Sequence, residues 1–182
     1  AQMLVHDFNG DGRNDVVASW DAHGYGIAWY EQQADGSFKE HVLVNTKPTD
    51  NPYGVQFTQP HAMTLADING DGLMDAVMVG DNQIEQGLSG FGVGVVPVAF
   101  GDGKGGWSSW RSSLTLGAGE DSFNGVAVGP GAAPRVFVGG TYASTQGATV
   151  PGQFNVVPYV VGLSNSGDGT LARDGNTLVS LG

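Results

Sequence analysis

Leu4-Val5-His6-Asp7-Phe8-Asn9-Gly10-Asp11-Gly12-Arg13-Asn14-Asp15-Val16-Val17 returns as Leu65-Ala66-Asp67-Ile68-Asn69-Gly70-Asp71-Gly72-Leu73-Met74-Asp75-Ala76-Val77. In both copies an acidic, glycine-rich loop is bracketed by short apolar runs. The offset from Asp7 to Asp67 is 60 residues. A repeat of that length marks an array of supersecondary units.

Further pairs of apolar runs follow each loop. Ile27-Ala28-Trp29-Tyr30 leads into Asp35-Gly36, Val95–Phe100 into Asp102-Gly103, and Val156–Val161 into Asp168-Gly169. Asp-Gly between apolar runs predicts two-residue hairpin turns, because both residues tolerate positive φ. A third unit starts at Gly125-Val126-Ala127-Val128 and resumes at Arg135-Val136-Phe137-Val138. Between them Gly129-Pro130-Gly131-Ala132-Ala133-Pro134 carries no carboxylate, so this copy keeps the strands without the acidic loop.

Each unit therefore reads as four short strands, at about 2–6, 15–20, 26–31 and 38–44 in the first. Val, Trp, Tyr and Phe suit strands, and no segment keeps a helical period. The expected fold is all-β, with about three four-stranded antiparallel units of β-propeller type. These could form part of a larger or multi-chain propeller. The chain is read as one region, residues 1–182, with repeats at about 1–58, 59–122 and 123–182.

The loops point to calcium. Ca²⁺ takes six to eight oxygen ligands from carboxylates, amide and backbone carbonyls and water. Loop positions 1, 3, 5 and 9 supply Asp7, Asn9, Asp11 and Asp15, with the carbonyl of Arg13 at position 7. The second loop supplies Asp67, Asn69, Asp71 and Asp75 with the carbonyl of Leu73. An EF-hand would need Glu at position 12, where Ala18 and Met78 stand. The expectation is two Ca²⁺ sites with dissociation constants on the order of 10⁻⁴–10⁻³ M, suited to extracellular calcium.

Composition narrows the function. The net charge is −11, from 7 basic and 18 acidic residues, which excludes a nucleic-acid partner. Six of those carboxylates lie in the two loops, so part of the acidity is metal site rather than solubilising surface. The 31 glycines have no collagen period, and the absence of cysteine excludes disulfides and thiolate chemistry. No apolar run approaches the roughly 20 residues of a membrane span. Ala1-Gln2 fits the start of a chain after leader cleavage, although a fragment would open the same way.

Loops of this pattern, followed by Asp-Val-Val or Asp-Ala-Val and an Asp-Gly pair, resemble the FG-GAP/VCBS repeat family. The resemblance covers residues 3–44 and 61–107 closely and 125–180 only in architecture. It implies calcium at the connection between the first two strands of each blade and an extracellular setting. Family propellers close with about six to eight blades, so three blades imply completion by other chains or copies of this one.

The functional expectation is a secreted, calcium-binding module without catalysis, acting in adhesion, carbohydrate recognition or structural assembly, with glycans among its partners. The alternative is the propeller portion of a secreted polysaccharide lyase or other glycan-degrading enzyme. No catalytic residue is assigned. Trp29 and Tyr30 read as core, and Trp107 and Trp110 as accessible. The four histidines read as structural or surface groups, with His6 and His61 candidates to pack beside a loop. Gly101–Gly106 reads as a hairpin, not a phosphate loop. The insertions Asp81–Gly92 and Thr141–Gln153 are the candidate ligand loops, since connections vary over a fixed scaffold.

Overall fold

The computed structural model describes residues 2–21, 24–54, 57–82, 93–113, 121–144, 155–174 and 179–180. Three antiparallel sheets follow one another along the chain. Blade 1 comprises β1 (Met3–His6), β2 (Asp15–Ser19), β3 (Ile27–Gln32) and β4 (Phe38–Val44) in sequential order. Blade 2 repeats the order with β5 (Thr58–Ala66), β6 (Asp75–Asn82), β7 (Val93–Gly101) and β8 (Trp107–Ser113). Blade 3 comprises β9 (Asp121–Val128), β10 (Val136–Ser144), β11 (Asn155–Asn165) and β12 (Leu171–Arg173), with β13 (Val179–Ser180) also paired to β11. The chain is all-β with propeller-type blades, as the repeats imply. No helix among the described residues is long and apolar enough to cross a membrane.

Strand periodicity explains how the blades stack. Side chains alternate across a sheet, so a strand buried on both faces must be apolar at nearly every position. In β6, Ala76 and Met78 pack toward blade 1, in a core with Val17, Ile27, Trp29 and Leu43. Val77 and Val79 point the other way, into a core with Val136, Val138, Tyr159 and Leu163 of blade 3. Burying each of these Val or Met side chains contributes roughly 1.5–3 kcal/mol. Among the described residues no blade covers the outer face of blade 1, and Met3, Val5 and Phe38 on it are 62%, 53% and 50% exposed.

The hairpins correct one expectation. Asp-Gly does not form a two-residue turn with both residues at positive φ. Among the described non-glycine residues only Gln59 has positive φ. In blade 1 the Gln33 N–H donates to the Ser37 carbonyl at 2.7 Å, and Gly36 N–H to the Gln33 carbonyl at 3.0 Å. Only Gly36 enters the left-handed region, at φ 83°. Asp35 instead uses its carboxylate, accepting from the Ser37 N–H at 2.9 Å and hydroxyl at 2.6 Å. That local bond satisfies Asp35 without the strain of positive φ. The closing pair is Asp102–Gly106 in blade 2 and Ser166–Thr170 in blade 3. The counterparts of Gly36 are thus Gly105 and Gly169, and Asp102-Gly103 lies two places earlier in its turn.

Candidate metal centre

Both acidic loops fold around their first carboxylate. Gly10 and Asp11 N–H groups donate to Asp7 Oδ1 at 2.8 and 3.1 Å, and Gly12 N–H to Oδ2 at 2.8 Å. In the second loop Gly70, Asp71 and Gly72 donate to Asp67 at 2.7, 3.1 and 2.9 Å. The chain can curl so tightly because Gly10, Gly12, Gly70 and Gly72 lie at φ 73–84°, where a Cβ is disfavoured. The Gly12 N–H chiefly holds Asp7 below the usual carboxylate value. The Asp11 and Gly10 N–H groups and the nearby His6 act in the same direction, against partial desolvation.

The third and fifth positions join this cluster. Asn9 Nδ2 donates to Asp11 Oδ2 at 3.0 Å, and Asn69 Nδ2 to Asp71 Oδ2 at 2.9 Å. The loops differ at position 7. Arg13 pairs its guanidinium with Asp11 and donates Nε to the Gln32 carbonyl at 2.9 Å, whereas Leu73 leaves Asp71 without that cation.

The ninth position faces inward. Asp15 and Asp75 are completely buried. Asp15 accepts the Phe8 N–H at 3.3 Å and the Gln32 N–H at 2.8 Å, one on each oxygen. Asp75 accepts the Ile68 N–H at 2.8 Å and the Gly101 N–H at 3.0 Å. Burial raises the Asp75 pKa and Asp71 adds to the rise, while the Ile68 and Gly101 N–H groups oppose it. This carboxylate ties the loop to the third strand of its blade, adjacent to its own, a role that motif spacing alone did not reveal.

Position 2 connects the loops to the neighbouring blade. Phe8 is 8% exposed, stands 5.5 Å from the Trp107 ring, and accepts the Gly105 N–H through its carbonyl at 3.1 Å. Ile68 is fully buried and accepts Asn165 Nδ2 at 2.7 Å. An apolar residue inside an acidic turn was the available signal for this contact.

Asp7, Asn9 and Asp11 thus come together, as do Asp67, Asn69 and Asp71, while Asp15 and Asp75 are engaged by the backbone. Among the described residues no three His, Cys, Asp or Glu side chains form a ready-made metal cluster. The donor set nevertheless fits a hard divalent cation. It is all oxygen; Oδ1 of Asp7 and of Asp67 each accept two N–H groups, but their Oδ2 and both oxygens of Asp15 and Asp75 accept one each and keep a second lone pair.

Other candidates separate clearly. Trp29 is core, but Trp107 is 5% exposed and not accessible as expected, because Phe8 covers it. Tyr30 lies on the partly exposed outer face of blade 1 and donates its hydroxyl to Glu40 at 3.0 Å. His6 packs on Phe8 at 5.3 Å beside the first loop, whereas His61 bonds Gln59 at 3.2 Å within β5. Gly101–Gly106 is the hairpin between β7 and β8, with no helix following. Most of the insertions, residues 83–92 and 145–154, His23 and the Trp110 side chain lie outside what the structure describes.

Repeated four-stranded blades with acidic loops between their first two strands define a class of propeller-type repeat proteins. Residues 7–78 match the family model described as FG-GAP-like repeat. The matched segment spans the first loop, all of blade 1 after β1, and the second loop, so the likeness to FG-GAP-like repeats rests on the first two units. No curated protein matches the sequence.

Proposed function

We propose that the protein is a secreted, calcium-binding module that serves binding or assembly outside the cell rather than catalysis. The observation that carries this reading is the agreement of the two loops, bond for bond, around Asp7 and Asp67. Two chain segments 60 residues apart hold the same acidic geometry although mutual repulsion works against it. Asp7, Asn9, Asp11, Asp15 and the Arg13 carbonyl would hold one Ca²⁺. Asp67, Asn69, Asp71, Asp75 and the Leu73 carbonyl would hold the other. The ion would supply charge neutralisation and a clamp on the loop that seats Phe8 or Ile68 between blades.

Calorimetric titration should show two weak Ca²⁺ sites per chain. Millimolar Ca²⁺ should stabilise the fold by about 1 kcal/mol per site, removable by chelator. Asp11→Ala with Asp71→Ala should abolish most of that calcium-dependent increment. A wild-type melting temperature that ignores both calcium and chelator would overturn the assignment. Assembly with further copies is supported by the apolar outer face of blade 1.

A further inference from the structure

The two acidic loops share their glycines and their carboxylates but differ at position 7, where Arg13 stands in one and Leu73 in the other. The difference falls on the fifth-position carboxylate. Asp71 Oδ1 accepts the Leu73 N–H at 2.8 Å and its Oδ2 accepts Asn69 Nδ2 at 2.9 Å, one donor on each oxygen. Asp11 Oδ1 likewise accepts the Arg13 N–H at 2.9 Å. Its Oδ2, however, carries two donors, Asn9 Nδ2 at 3.0 Å and the Arg13 guanidinium. A carboxylate oxygen has two lone pairs. Both are engaged on Asp11 Oδ2, whereas Asp71 Oδ2 keeps one open to a cation.

We propose that Arg13 is a built-in counter-cation that lowers the calcium affinity of the Asp7–Asp15 loop, so that the Asp67–Asp75 loop fills first. The proposal rests on the calcium reading of both loops and adds an order of filling to it.

The guanidinium is anchored rather than loose. Its Nε donates to the Gln32 carbonyl at 2.9 Å, and the Gln32 N–H donates to Asp15 at 2.8 Å. One residue at the end of β3 therefore holds both Arg13 and the ninth-position carboxylate. A planar guanidinium fixed in this way gives up little further freedom on pairing with Asp11. In the second loop the counterpart of Gln32 is Gly101, whose N–H donates to Asp75. Leu73 has no side-chain donor for the Gly101 carbonyl. It rests instead on the β7–β8 turn, where a Cβ at Gly103 would come within 2.9 Å of it.

An exposed ion pair contributes little to stability, but its effect on an entering ion is larger. A divalent cation at the first loop meets a held positive charge and must displace it from an oxygen of the proposed ligand set. A unit charge facing a divalent ion across several ångströms of water-like medium weakens binding about tenfold. The second loop presents neither obstacle, since among the described residues no Lys or Arg pairs with Asp71. The order of filling has a structural consequence. The first loop seats Phe8 against Trp107 where blades 1 and 2 meet, and the second seats Ile68 beside Asn165 where blades 2 and 3 meet. Arg13 steadies the first seat without the ion, and rising calcium acts first on the second.

The test is a calorimetric titration of the full chain with CaCl₂. Wild type should show two phases about tenfold apart in affinity. Asp71→Ala should remove the tighter phase and Asp11→Ala only the weaker one. Arg13→Leu, which copies the second loop, should tighten the weaker phase about tenfold and merge the two. Arg13→Gln keeps a hydrogen-bonding side chain without the charge and should do the same, while Leu73→Arg should weaken the tighter phase. Melting in chelator separates this from a purely structural role, which would lower the melting temperature of the Arg13 variants and leave their calcium affinity unchanged. Equal phases in wild type, loss of the tighter phase in Asp11→Ala, or unaltered affinity in both Arg13 variants would each overturn the proposal. Absence of calcium heat from every form would instead overturn the calcium reading itself, and the order of filling with it.

Discussion

Asp15 and Asp75 show how a single residue can be recognised for one role and fold for another. Their spacing from Asp7 and Asp67 places them at the ninth position of each loop, and that much was legible from the repeat. Their burial and their bonds to Phe8 and Gln32, or Ile68 and Gly101, were not, because Gln32 and Gly101 lie in a strand outside the motif and the Phe8 and Ile68 partners are backbone N–H groups that no side-chain pattern marks. Asp75→Asn retains one acceptor but turns an NH₂ toward a backbone donor. Leaving that donor unsatisfied should destabilise the fold by about 1–3 kcal/mol, measured by urea unfolding in chelator so that calcium plays no part. A second residue-scale prediction concerns Glu31. Its hydrogen bond from His41 chiefly holds its pKa below the ordinary glutamate value, with Lys39 assisting. A lowered folded-state pKa stabilises the protein above the unfolded value, and that contribution is lost as pH falls through the folded one. Thermal melts from neutral pH down through the acidic range in which carboxylates protonate should therefore fall less steeply for Glu31→Gln than for wild type. Parallel curves would show that the pair carries no acid sensitivity.

At the scale of elements, strand positions were the most legible feature. The expected 15–20 and 38–44 became Asp15–Ser19 and Phe38–Val44, because apolar alternation and glycine-rich punctuation agree there. The hairpins were less legible, since an Asp-Gly pair fits several turn frames and only the strand pairing selects one. Gly36 and Gly105 now offer a controlled comparison. They share the left-handed conformation, at φ 83° and 86°, so alanine imposes similar backbone strain of about 1 kcal/mol at either. Their surroundings differ. A Cβ at Gly36 meets open space, whereas one at Gly105 would lie 2.4 Å from Trp29 and 2.9 Å from Asn9. Gly36→Ala should stay near the strain value, and Gly105→Ala should lose roughly a further 1–3 kcal/mol through overpacking. Equal losses in chemical denaturation would mean that the β7–β8 turn can move away from blade 1, and that the inter-blade contact is soft.

For the whole molecule, the number and order of blades could be read from the repeats, but which sheet faces are covered could not. A period-2 pattern identifies two apolar faces without naming their partners. Blade 2 has both faces occupied, Ala76 and Met78 on one side and Val77 and Val79 on the other. By repeat position, Val16 and Ala18 of blade 1 correspond to Ala76 and Met78, and Met3, Val5 and Phe38 stand exposed on that same side. A face built to the pattern that covers blade 2 on one side suits a further sheet, here that of a second copy. The expected solution behaviour is a mass above that of one chain in sedimentation, rising with concentration. Val5→Lys with Phe38→Lys should return the protein to single-chain mass. Both positions are about half exposed, so the melting temperature of the separated chain should change little. The double variant thus separates assembly from folding: a wild type that stays monomeric across the concentration series would make this face ordinary surface. A variant that still associates would move the contact elsewhere on the molecule.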